Sequence, residues 1–324
     1  MVASHLARDV LTQPHPLWLR LFGSLAAPLF VLLSGMLVAQ TRESRRRPLS
    51  YFLSRGSLVV LIAMLLDILL WGIYPLVTYD VLYVIGVAMP IAALFCELRP
   101  TLQTGLLVAL LGVSGMLRHG LGYPEAVVTL PLTDSPLALW NHRSDILHQF
   151  LVEGWFPMFP WLFFSLLGVR VYQWRQAIPQ QVENYLLRTA MLLLAVGLAC
   201  GLIVDDPFYI RNGYSELFYP PTAAVVIVAS GAVLSLFACV RLPLVRGNRL
   251  LILLGKAPLL LYVVHLMIIH WGIQPLFPEA SLSLFLLLYF GLLGALAGLA
   301  SGIERLKQQH GRHWPLPIRL LIGG

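Results

Sequence analysis

Nine stretches of this chain are apolar over about the length a helix needs to cross a bilayer, and this constrains the fold before any motif is read. They fall at roughly 21–40, 56–76, 81–97, 102–118, 156–172, 186–204, 218–240, 251–272 and 282–302. A hydrocarbon core leaves no water to satisfy backbone N–H and C=O groups, so only helices or a closed barrel can span it. A barrel would show short alternating segments instead. The expected fold class is therefore all-α, a polytopic transmembrane helical bundle of about nine spans. Only 11% of the residues are charged, against about 25% in soluble domains, which excludes a water-soluble globule.

Lysine and arginine set the expected orientation. The most basic run, "TRESRRRP", follows the first apolar stretch and is placed in the cytoplasm. With alternate loops assigned from there, 17 of the 22 Lys and Arg residues fall inside. Ten of the 15 Asp and Glu residues fall outside. The net charge of +7 thus reads as a topology signal suited to anionic lipid headgroups, not as a nucleic-acid surface. Trp18, Trp71, Tyr74, Trp155, Tyr219 and Trp271 cluster at the outer ends, where interfacial rings belong. This arrangement puts the N-terminus outside and the C-terminus in the cytoplasm, and it predicts a multi-pass protein of the plasma membrane.

Residues 1–19 then lie outside with no span before them. That suggests a tenth helix whose cytoplasmic half is missing ahead of "MVASH". No linker or repeat divides the chain, so 1–324 reads as a single domain. The longest connection, 119–155, is an outer loop whose Trp, Leu and His content predicts an ordered cap.

Cys96, Cys200 and Cys239 all sit in apolar stretches, which argues for buried thiols over a disulfide framework. His119, His142, Asp145 and His148 share one loop at spacings that match no standard metal site, so no metal is expected. No phosphate-binding glycine loop and no G-x-S-x-G elbow is present.

Four places could carry chemistry. His5 and Asp9 are four residues apart, so on a helix they share a face, and the carboxylate could orient the imidazole as a general base; a solvated polar tail would look the same. Asp67 lies mid-span in "VVLIAMLLDILLWGIY", where a charge must pair, face the interior or be protonated. "LLGKAPLLLYVVHLMIIH" carries Lys256, Tyr262, His265 and His270. Lys256 could meet a phosphate or simply mark topology, and His265 could be a buried structural imidazole. Pro157, Pro160, Pro220 and Pro221 at outer ends hint at a cavity opening outward, although ordinary helix starts use proline too.

In order along the chain, "MVASHLARD", "AAPLFVLLSGM", "VLYVIGVAM", "FPWLFFSLLG", "YPPT" and "LGKAPLLLYVVHL" resemble the catalytic-domain family of heparan-alpha-glucosaminide N-acetyltransferase. The matching residues include Pro28, Ser34, Gly35, Leu82, Gly86, Pro160, Trp161, Gly168, Tyr219, Pro220, Gly255, Pro258, Tyr262 and His265. The family's first helix carries an arginine-glycine half that this chain lacks. The resemblance implies a catalytic histidine at His5 and acyl-CoA as a cytoplasmic donor.

The function expected from the resemblance is transfer of an acyl group, an acetyl above all, from acyl-CoA to an amine or hydroxyl such as that of a sugar on the outer side. Arg55 and Lys256 would hold the CoA phosphates. His5, oriented by Asp9, would act as base or form an acyl-histidine. Asp67, Tyr219, Tyr262 and His265 would be substrate-facing or structural polar groups. The partners implied are membrane lipids and a small-molecule or glycan acceptor, with no nucleic acid; a homo-oligomer is compatible with this. Two rivals stand beside it: a proton-coupled transporter or flippase relaying protons through Asp67 and His265, and an inactive scaffold homologue.

Overall fold

The structure, a computed structural model, describes residues 1–122, 127–203, 221–241, 247–310 and 314. The described residues are helical throughout, with no strand among them and only two isolated bridges. The helices are α1 (Val2–Val10), α2 (Leu17–Ser24), α3 (Ala26–Arg45), α4 (Leu49–Leu66), α5 (Val81–Phe95), α6 (Pro100–Leu121), α7 (Leu137–Asn141), α8 (Arg143–His148), α9 (Met158–Ala177), α10 (Val182–Ile203), α11 (Ala223–Ala238), α12 (Arg249–Leu254), α13 (Pro258–Met267) and α14 (Leu282–His310). π-helical turns continue α4 (Asp67–Trp71), α8 (Gln149–Glu153) and α13 (Ile268–Ile273).

Each of the nine apolar stretches falls on a helix, but their lengths differ. Five segments are long and apolar enough to cross a membrane: Leu17–Arg45, Leu49–Trp71, Pro100–Leu121, Val182–Ile203 and Leu282–Gln309. A sixth forms if Arg143–Glu153 and Met158–Ala177, bent by 41°, count as one span. Val81–Phe95, Ala223–Ala238 and Pro258–Ile273 are shorter. At 1.5 Å per residue, the 15 residues of α5 reach about 22 Å, less than the roughly 30 Å of hydrocarbon. Helix α5 is also buried along five consecutive residues, Val81 to Ile85. Its later turns expose Ile91 and Leu94.

The chain divides into two compact units, residues 24–238 and residues 1–23 with 239–324. The larger unit is built on close helix crossings at glycine. A Cβ on Gly35 of α3 would stand 1.8 Å from the Ser165 carbonyl oxygen of α9, and one on Gly168 would stand 2.0 Å from that of Leu32. Gly56 of α4 and Gly86 of α5 meet in the same reciprocal way, at 2.3 and 2.7 Å from each other's carbonyl oxygen. Gly197 and Gly231 do likewise between α10 and α11, against Ala224 and Ala190. Lipid gives helices no hydrophobic reason to associate, so dispersion between closely approaching backbones carries the packing.

At one end of this unit α3, α6, α9 and the turn after α5 are tied by polar groups. Arg170 donates to Gln103 and Gln173 at 2.7 and 3.1 Å, Gln173 donates to Glu43 at 3.0 Å, and Arg42 pairs with Glu97. At the other end, the long connection is laced to the loop after Trp71. Tyr74 N–H donates to Leu130 O at 2.9 Å and Leu132 N–H to Gly72 O at 2.8 Å. The fully buried Gln149 donates its side-chain amide to Val77 O at 3.0 Å. The described part of this connection, which carries α7 and α8, is thus hydrogen-bonded to that loop.

Candidate functional site

The smaller unit holds the first candidate residue. On α1, Ala3, Leu6, Ala7 and Val10 repeat at helical spacing and are all buried. They pack with Leu261, Ile269, Phe285, Leu292 and Leu296, so α1 lies against α13 and α14. Backbone bonds pin the end of α1: Ala280 N–H donates to Val10 O at 2.7 Å, and Thr12 N–H to Ala280 O at 3.1 Å. A polar nonapeptide at a chain terminus is held by its own apolar face and cannot wander. His5, half-buried, leaves α1 on the neighbouring face.

Helix α13 starts at Pro258, whose fixed φ suits the first turn, and runs on into the π turn. His265 on this helix is 2% exposed. Its Nδ1 lies 2.9 Å from the carbonyl oxygen of Leu261, one turn back. Its Nε2 lies 2.8 Å from His5 Nδ1. The Tyr262 ring stands edge-on to both imidazoles, with centroids 5.7 and 5.4 Å away at 75° and 77°. Among the described residues, His5 Nε2 has no hydrogen-bond partner. An imidazole fixed on one nitrogen and open on the other can take a proton or attack a carbonyl carbon.

Asp9 is placed otherwise than its spacing suggests. Its carboxylate accepts from Arg8 Nε at 2.8 Å and Nη2 at 3.5 Å, and it makes no bond to His5. The adjacent guanidinium is the stronger partner for a carboxylate. Helix i, i+4 geometry makes His5 and Asp9 neighbours without obliging them to bond. The partner that His5 does have, His265, is 260 residues away, and no spacing could reveal it. Its only sequence signal is its place in the last of the resembling motifs.

The remaining candidates have partners of their own. Lys256 Nζ is 2.7 Å from Glu304 Oε1 on α14. Arg55, on α4 of the larger unit, donates to the Tyr51 hydroxyl at 3.3 Å. Asp67 is 1% exposed at the switch from α4 to its π turn. It accepts from the Tyr83 hydroxyl of α5 at 2.5 Å, and that hydroxyl in turn accepts from Leu76 N–H at 3.2 Å. Tyr219 lies outside the described residues. No group of three or more His, Cys, Asp or Glu side chains among the described residues could hold a metal ion.

No curated protein and no solved structure matches this chain. Residues 2–201, which include His5, Asp9, Arg55 and Asp67, match the family described as heparan-alpha-glucosaminide N-acetyltransferase, catalytic. That match covers well over half of the 324 residues, and the resembling motifs in order from "MVASHLARD" to "FPWLFFSLLG" lie within it, so the chain belongs to the heparan-alpha-glucosaminide N-acetyltransferase catalytic-domain family.

Proposed function

We propose that this protein is an integral acyltransferase of the plasma membrane that moves an acetyl group from acetyl-CoA to an amine or hydroxyl, such as that of a sugar. The observation that carries the reading is His5: anchored through Nδ1 in a part-buried polar contact, with no partner on Nε2 among the described residues. The family membership and the apolar helices support a membrane acetyltransferase. The charge asymmetry of the loops supports nine spans, with the N-terminus outside and the C-terminus in the cytoplasm.

His5 Nε2 takes the proton of the acceptor as its nitrogen or oxygen attacks the thioester carbon. The carbon–sulfur bond breaks, CoA leaves as thiolate, and His5 returns the proton to the sulfur. In the covalent variant Nε2 attacks the thioester carbon first and CoA leaves as thiolate; the acceptor then attacks the acetyl carbon, the ring N–C bond breaks, and the acceptor's proton goes to the thiolate. Lys256 is a cation offered to the CoA phosphates, and it must exchange Glu304 for a phosphate to serve. Tyr262, edge-on to the His5 ring, is a polar group beside the reacting nitrogen.

The test is release of free CoA thiol by the full chain in proteoliposomes, given acetyl-CoA and amino or neutral sugars. Thiol release that depends on a sugar and disappears in His5→Ala is the expected result. Turnover retained in His5→Ala removes His5 from the chemistry. Proton-driven solute uptake without any acetyl-CoA consumption would replace the reading with the transporter.

A further inference from the structure

We propose that His265 is a positioning residue that keeps the hydrogen of His5 on Nδ1 and so makes Nε2 the nitrogen that reacts. The inference rests on the reading of His5 as the acetyl-transfer histidine. It follows from counting hydrogens along one line of contacts.

The Leu261 carbonyl can only accept, so the Nδ1 that approaches it at 2.9 Å carries a hydrogen. A neutral His265 then presents a bare Nε2. The 2.8 Å contact between that atom and His5 Nδ1 needs one hydrogen between them, and only His5 can supply it. A neutral His5 with hydrogen on Nδ1 has a lone pair on Nε2, the atom without a partner among the described residues. A protonated His265 would reverse the order: it would donate to His5 Nδ1, place the remaining hydrogen on His5 Nε2 and silence that atom.

The ring geometry suits this contact. The planes of His5 and His265 differ by 3°, with centroids 5.1 Å apart. A nitrogen contact of 2.8 Å inside that separation leaves little more than the two ring radii, so the rings meet edge to edge in nearly one plane. The lone pair of His265 Nε2 therefore points along the N–H bond of His5. When Nε2 takes a proton from the acceptor, the Nδ1–H becomes a stronger donor, and the bond to His265 tightens as charge develops. His265 does for His5 what a carboxylate does in a hydrolase triad, without adding a negative charge. Tyr262, edge-on to both rings, limits their rotation.

The experiment uses the full chain in lipid nanodiscs and diethyl pyrocarbonate, which carbethoxylates the bare nitrogen of a neutral imidazole, with His5 labelling followed by peptide mass spectrometry. His265→Phe keeps a ring and removes the acceptor. It should slow labelling of His5 about ten-fold, the worth of one aligned hydrogen bond, and lower kcat for acetyl-CoA while leaving KM in place. His265→Gln, with an amide oxygen near the position of Nε2, should recover most of both. Equal labelling of His5 in native protein and His265→Phe overturns the proposal. Nitrogen-15 NMR of histidine-labelled native protein needs no variant at 265: hydrogen on His5 Nδ1 is expected, and hydrogen on Nε2 overturns it. Labelling that depends on His265 in a protein that consumes no acetyl-CoA would leave the pair standing and remove the acyltransferase. Turnover that needs His5 but ignores His265→Phe would do the reverse.

Discussion

Two buried polar pairs, one in each unit, are built from similar parts and end differently. Asp67 and Tyr83 join α4 to α5 through a line that starts at the Leu76 N–H, passes the phenol and stops in a carboxylate. His5 and His265 join α1 to α13 through a line that starts at the Leu261 carbonyl and stops at a nitrogen with no partner among the described residues. The first line ends in a carboxylate whose Oδ2 accepts from the phenol of the neighbouring helix. The second has one lone pair to spare. An apolar interior tolerates polar groups that bond to one another, so burial alone does not mark a functional site.

The largest expected effect is on the open pair. His5→Ala should lower acetyl-CoA turnover by about 10³-fold, within the span that general base groups contribute, with the protein still folded by size-exclusion chromatography. Asp67→Asn should keep turnover within about three-fold of native, because the amide oxygen still accepts from Tyr83 and the pair makes only a helix contact. If Asp67→Asn abolished turnover and His5→Ala did not, the roles of the two pairs would have to be exchanged.

The next effect belongs to the scaffold that carries the Asp67–Tyr83 pair. Gly56 and Gly86 bring α4 and α5 together, and Asp67, at the end of α4, bonds to Tyr83 of α5. Gly56→Val would drive a Cβ to 2.3 Å from the Gly86 carbonyl oxygen, a backbone atom that cannot swing aside. A loss of about 3 kcal/mol is expected, read as a fall in thermal midpoint in detergent. Gly112→Ala on α6 meets nothing within 4 Å and should leave the midpoint unchanged.

Much of this scaffold can be read from the sequence. Apolar run length marks where helices lie, since each of the nine stretches falls on helix, while five or six segments are long and apolar enough to cross a bilayer. It does not give the short α5, whose length falls below the membrane thickness. Gly35, Gly86 and Gly168 stand in the resembling motifs and prove to be backbone crossing points. Part of what makes those motifs recognisable is therefore packing. The site is less legible. A mid-span Asp67 announces that it needs a partner, but choosing Tyr83 requires the register of α4 on α5. His5 is prominent only through the resemblance, since one histidine near a terminus looks like any polar tail. Its bond to His265 depends on α1 lying against α13, a contact made by apolar residues with no polar signature.

A smaller effect separates closing a buried pair from using it. Tyr83→Phe leaves the Asp67 carboxylate short of a bond where it is 1% exposed, and the Leu76 N–H short of one at the edge of the site. A cost of about 2 kcal/mol is expected, visible in the thermal midpoint while turnover at a permissive temperature stays near native. Combined with Gly56→Ala, it should cost less than the two changes added, since both loosen the same helix pair. Strict additivity would mean that the hydrogen bond and the glycine crossing hold α4 and α5 independently.

The smallest effect tests whether the open pair needs a carboxylate. Asp9 shares a helix face with His5, yet its oxygens are engaged by Arg8 at 2.8 and 3.5 Å. Asp9→Asn keeps an oxygen for Arg8 Nε and removes the negative charge. Were Asp9 the group that orients His5 and stabilises its protonated form, turnover would fall by a hundred-fold or more, on the order of a lost general-base arrangement. With His265 in that role, a change of no more than about two-fold is expected, since the bond that fixes the ring is untouched and a neutral imidazole needs no counter-charge until its second proton arrives. Measured beside His265→Phe, the ratio of the two losses states directly which neighbour His5 relies on: the one four residues along its own helix, or the one that folding brings from α13.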